Sequence, residues 1–129
     1  MIRGLAVLAG VVCGCAHACG DAGDTLATGA NYTIAYRTVP SPIVTGEHFT
    51  LDITVCRTGK AAAPKALRVD ASMPEHRHGM NYRPTVAAKG RGRYRAEGFL
   101  FHMSGRWEIA FDVVTAATSE RITSAWVLE

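Results

Sequence analysis

An all-β fold, an immunoglobulin-like antiparallel β-sandwich of six to seven strands behind an N-terminal signal segment, is predicted by three observations. Apolar residues recur with period two from residue 31 nearly to the end of the chain. Short separators rich in Gly, Pro and Ser interrupt that alternation. No stretch after residue 20 carries a helical period. Side chains two apart on a strand share one face, so alternation marks half-buried strands, and many short strands divided by turn residues build a sandwich. The Cys…Trp…Cys spacing of antibody domains is missing, so only the architecture is predicted.

The elements follow in order. Residues 20–30 (GDAGDTLATGA) are small and polar and read as a linker. Tyr32, Ile34 and Tyr36 share one face of the first strand. Phe49, Leu51, Ile53 and Val55 form the clearest inward row, against outward Thr50, Asp52 and Thr54. Leu67, Val69, Ala71 and Met73 repeat it, with Arg68, Asp70 and Ser72 facing out. Thr85–Lys89 reads as a short edge strand, and Tyr94–Phe101, Trp107–Val114 and Ile122–Leu128 complete the set. The separators are Pro40-Ser41-Pro42, Thr58-Gly59-Lys60, Gly90-Arg91-Gly92 and Ser104-Gly105, all residues with turn chemistry.

Upstream, residues 1–18 read as a signal peptide or lipoprotein signal: Arg3, an apolar run from Leu5 to Val12, then small residues. That run is too short to span a bilayer as a helix. Ala16-His17-Ala18 is an A-x-A cleavage pattern that would leave Cys19 first, whereas Val12-Cys13-Gly14-Cys15 resembles a bacterial lipobox with Cys15 as the lipidation candidate. Residues 19–30 are then the linker and 31–129 the domain. The chain is expected in the periplasm or as a membrane-anchored lipoprotein, touching the membrane only through such an anchor. Both routes leave Cys19 and Cys56, and an exported cysteine pair favours a disulfide, the alternatives being free thiols or lipidated Cys19.

With 129 residues in all, the mature chain of about 110 fits one two-layer domain and leaves no room for separate cofactor and substrate domains. A charged share of 19% beside 48% hydrophobic residues excludes a disordered chain. The net charge of +3 is too small to argue for nucleic acid, and no nucleic-acid partner is expected. Phosphate loops, nucleophile elbows, H-E-x-x-H motifs and paired carboxylates are all missing, so no catalytic residue is assigned and the chain is not expected to be an enzyme.

The unusual residues are Met73, Met80 and Met103, each within four residues of a histidine among His76, His78 and His102. If every connection reverses direction, strand 65–73 delivers Met73 to one end, Pro74–Arg83 loops there, and strand 94–101 returns His102 and Met103 to it. His48 starts at the same end, while Cys56 falls at the opposite one, where the first strand begins after Cys19. Neutral imidazole suits first-row transition metals, and thioether sulfur adds preference for Cu(I). Glu75 is the one carboxylate in the cluster, which disfavours hard-oxygen metals. His76, His78 and Met80 share parity, so an extended loop projects them to one side. Met73 equally continues a core row, His48 reads as a surface histidine, and His102-Met103 could pack inward. Only neutral imidazole coordinates, so acid should weaken binding.

The stretch from Met73 to Val113 resembles the YtkA-like domain, whose pattern is matched by Met73, Pro74, His76, His78, Gly79, Met80, Gly92, Tyr94, Met103, Gly105 and Trp107. Upstream Pro42, Gly46, Phe49 and Leu51 also fit. The family is similar to FixH-like and other exported immunoglobulin-like modules, often associated with copper handling or with assembly of respiratory complexes. The resemblance implies ligands at His76, His78, Met80 and Met103, to which His102 is added here. Trp107 begins an inward row and Tyr94 reads as a packing residue. Lys89, Arg91, Arg93 and Arg95 alternate along a hairpin, which protects a sheet edge or attracts anionic lipid or an acidic partner.

The expected function is an exported copper-binding accessory (carrier, chaperone or sensor-like module) holding Cu(I), with Cu(II) retained by imidazole after oxidation. The alternative is a non-metal interaction module that docks on a membrane or respiratory complex. A membrane-associated protein is the candidate partner in either case.

Overall fold

The computed structural model describes residues 17–129, so residues 1–16 of the expected signal segment 1–18, with the lipidation candidate Cys15, lie outside the described residues. Among the described residues nine strands form two antiparallel sheets: β1 (Thr25–Thr28), β2 (Tyr32–Val39), β3 (His48–Arg57), β4 (Ala66–Met73), β5 (His78–Gly79), β6 (Thr85–Gly90), β7 (Arg93–Leu100), β8 (Gly105–Val114) and β9 (Ser119–Leu128). One sheet runs β1-β2-β3-β7-β6 and the other β5-β4-β8-β9. No helix occurs among the described residues.

The inward rows are the alternating residues of the sequence. Leu51 and Ile53 from β3 meet Val69 and Ala71 from β4 and Ile109 and Phe111 from β8, all buried in one core. Two apolar faces cover each other this way because neither sheet alone can remove its row from water. Tyr36 crosses the core with its ring 5.1 Å from Phe111. Its hydroxyl donates to Ser124 Oγ and accepts from Trp126 Nε1, each at 2.6 Å, and no buried side-chain polar atom among the described residues is stranded. Burial pushes the Tyr36 phenol up from its ordinary range.

Three departures from the expected elements matter. Within the predicted linker, Thr25–Thr28 pairs with Tyr36–Thr33 as edge strand β1. Only Ala27 of its four side chains is buried, too few to print an alternation. A two-residue strand, β5, extends the second sheet and pairs Met73 with His78. On β7 a β-bulge sets Glu97 and Gly98 against Thr50, with Gly98 at φ +94°. The extra residue shifts parity, so Ala96 is followed inward by Phe99 and Phe101. Met103 then falls on the inward side and His102 on the exposed one.

The ends are sorted as chain reversal requires. Val39 pairs with Thr50 and His48 with Leu100 at one end, which also receives Met73, the Pro74–Pro84 connection and residues 101–105. Cys56 pairs with Thr33 at the other end, and there the disulfide Cys19–Cys56 ties down the incoming chain.

Candidate metal centre

The site is built on the last residue of β4. Met73 is wholly buried, and its terminal methyl lies where a Cβ on Gly105 would come within 2.7 Å. Gly105 itself has φ +125°. A side chain there would be strained and would collide with Met73, so glycine lets β8 start directly over the methionine. Met73 is therefore a core residue, the packing reading of its row.

Beyond Met73 the chain turns at once instead of running extended. His76 N–H donates to Met73 O at 3.1 Å and Arg77 N–H to Pro74 O at 3.3 Å, while Arg77 takes φ +55° to close the turn. The shared-parity argument for an extended His76–Met80 loop thus does not describe this backbone. The turn achieves proximity another way: β5 folds back on β4, and His78, paired with Met73, takes the same inward side. Gly79 follows, where a Cβ would touch Ala71 O at 3.4 Å.

Three imidazoles gather above this hairpin. The His78 ring centre lies 5.7 Å from that of His76 and 5.2 Å from that of His102. Beneath them is Trp107, whose centre is 6.1 Å from His78 and 5.4 Å from His102, both edge-on. The indole is fixed on both sides: it stacks on Phe101 at 4.3 Å and 7°, and its Nε1–H donates to Met103 O at 3.0 Å. Trp107 is thus the core residue expected and also the floor of the histidine cluster. His76 and His102 are exposed, whereas His78, Met80 and Met103 are half-buried, the two methionines packed against the core. Met80 also borders a groove of about 650 Å³ beside Val69, Tyr82 and Val86.

His78 Nδ1–H donates to Gly79 O at 3.1 Å, because a carbonyl can only accept. That bond fixes the tautomer and leaves the Nε2 lone pair open, the usual second interaction of a ligating histidine. An ion about 2.0 Å from a ring nitrogen lies about 3 Å from the ring centre, so two rings sharing one ion have centres roughly 5–6 Å apart. Both histidine pairs satisfy that spacing. Among the described residues, however, no three His, Cys, Asp or Glu side chains are grouped to hold a metal ion. A third donor would have to be thioether sulfur, which a Cu(I) site accepts and a structural zinc site does not.

His48 shares this end but is otherwise engaged. Its Nδ1–H donates to Phe99 O at 3.2 Å, and its ring meets Tyr82 edge-on at 5.0 Å.

The sequence profile of the YtkA-like family matches residues 27–112, two-thirds of the chain. This chain belongs to the YtkA-like family. No curated protein and no solved structure matches it. The matched segment begins in β1 and holds the whole His/Met cluster, but stops before β9 and leaves out Cys19. The YtkA-like segment therefore carries the candidate ligands, while one half of the disulfide lies outside it.

Proposed function

We propose that this YtkA-like protein is an exported copper-handling accessory, a carrier or chaperone whose cargo is Cu(I). The observation that carries the reading is His78 set between His76 and His102, with His78 and His102 over Trp107 and the half-buried Met80 and Met103 at the same end. Two imidazoles and one thioether give a soft, low-coordinate donor set suited to Cu(I), and the imidazoles would retain Cu(II) after oxidation. Exposed His76 and His102 flank the half-buried His78. An acceptor's ligand can thus replace a rim histidine before the inner one releases the ion, so cargo passes by ligand exchange without redox chemistry.

Export is supported by the leader-like sequence and by the Cys19–Cys56 bond, since disulfides persist in oxidising compartments. A sulfur engaged in that bond cannot carry a lipid, which leaves Cys15 as the anchor candidate. The test is an anaerobic Cu(I) titration against a chromophoric chelator. The parent protein should withdraw one equivalent, and H76A/H78A should lose that capacity. A parent unable to compete while folded would favour the non-metal interaction module.

A further inference from the structure

We infer that the end of the sandwich opposite the histidines is a docking face for an anionic membrane surface. The inference rests on the export reading and is independent of copper. Six cations ring that end: Arg57 at the close of β3, Lys60 and Lys65 in the β3–β4 connection, and Lys89, Arg91 and Arg93 on the β6–β7 hairpin. All six are exposed, and none is in an ion pair among the described residues. Elsewhere Arg68 on β4 and Arg77, Arg83 and Arg106 at the histidine end are also in no ion pair among the described residues. The two ends therefore differ in number, six cations against three, and the remaining three described arginines are paired. Arg37 is paired with Asp21 and Asp24, Arg95 with Asp52 and Glu97, and Arg121 with Asp112. Asp21, Asp24 and Asp52 share a groove with Lys89 and Arg93, but these carboxylates are already paired with Arg37 and Arg95, and Glu120 accepts from the backbone and side chain of Asn31.

The incoming chain enters at this same face. Val55 N–H donates to Gly92 O at 2.8 Å, which pins the Gly90–Gly92 turn beside Cys56. Cys56 in turn holds Cys19. A lipid anchor on Cys15 would therefore join the domain at this face, beside Arg91 and Arg93. From a lipid on Cys15 the chain reaches Cys19 over at most about 14 Å. A tether that short lets the domain settle with these cations within one Debye length, about 8 Å at physiological salt, of the headgroup charge.

The shape also favours a plane of charge over other anions. The cations are spread over separate turns, and only Lys89 and Arg93 line a groove. They share it with Asp21, Asp24 and Asp52, which repel a free anion there, while the exposed aromatic Tyr82, which could stack a base, is at the far end. Ten-residue strands β3 and β8 then hold the histidine cluster roughly 30 Å above the headgroups, open to a soluble or membrane-bound acceptor.

The test is co-sedimentation of the full chain, as the expressing cell processes it, without copper. Vesicles are of phosphatidylcholine alone or mixed with phosphatidylglycerol. Each cation near an anionic surface strengthens binding about fivefold. The preference for the phosphatidylglycerol vesicles should therefore fall about 25-fold in R91N/R93S and in K60S/K65S; Asn is chosen because Arg91 holds a left-handed backbone, φ +56°. R83S/R106S, with the same net charge but changed at the histidine end, should keep the parent's preference. Equal binding of the parent to both vesicles, or equal loss in all three variants, overturns the inference.

Discussion

Replacing Cys19 and Cys56 together by serine should destabilise the domain through its unfolded state. The bond closes a loop over a sequence separation of 37, containing β1, β2 and nearly all of β3. Closing a loop of that length in the unfolded chain removes about 13 cal/mol/K, which is about 3.8 kcal/mol at 25 °C. On the native side little changes, because Cys19 is only partly buried and its sulfur lies 3.6 Å from Thr33 O, too long for a strong interaction. Segment 19–24 also keeps other anchors: Arg37 binds Asp21 and Asp24, and the backbone at Gly20 packs so closely that a Cβ would lie 2.3 Å from that of Ala35. Urea unfolding followed by tryptophan emission separates the two routes. The account expects a loss of about 3–4 kcal/mol together with a steeper denaturant dependence, since the uncrosslinked unfolded chain exposes more surface. A loss below about 1 kcal/mol at unchanged slope would refute the reasoning and assign the anchoring of β1 to the native contacts alone.

Further outcomes follow from the same contacts. Gly105→Ala should lower stability by about 1–3 kcal/mol in thermal unfolding, because φ +125° strains any Cβ and this one meets the Met73 methyl. A neutral result would mean that β8 does not start tightly over Met73. Tyr36→Phe removes the acceptor of the Trp126 indole N–H and should cost about 1–3 kcal/mol by urea titration. Asp112 is held below the usual carboxylate range chiefly by the hydrogen bond from Arg121. Its stabilisation is therefore present above the unfolded-state carboxylate range and is lost as pH falls through the lower folded value. The Arg121 partner is largely solvated, so D112N should remove under about 1 kcal/mol near neutral pH and flatten part of the acid limb of a stability–pH curve. An unchanged acid limb in D112N would contradict the assignment.

What was legible in the sequence was what burial repeats. Rows such as Phe49, Leu51, Ile53 and Val55 recur because alternate side chains must leave water, and their positions locate β3, β4 and β8. Reversal of successive strands then sufficed to gather the His/Met residues at one end and Cys19 with Cys56 at the other. Edge strand β1 was not legible, because it buries a single side chain. The bulge at Gly98 was marked only by a glycine within an alternating run, yet it decides which of His102 and Met103 faces inward. At the site, the hairpin through Arg77 was invisible to a parity rule that assumes extended backbone; the turn needs a left-handed arginine, an uncommon choice that periodicity does not encode. Met73 could be read as ligand or core until Gly105 was found against it.

The central claim is most directly tested by thermal unfolding of the disulfide-intact protein with and without stoichiometric Cu(I) under anaerobic conditions. An ion bound to the native state alone must raise the midpoint by mass action, by several degrees for a domain of this size. The account predicts such a rise in the parent and its loss in H76A/H78A. An unchanged midpoint in the parent would contradict copper handling and leave the histidine end as a surface for a protein partner.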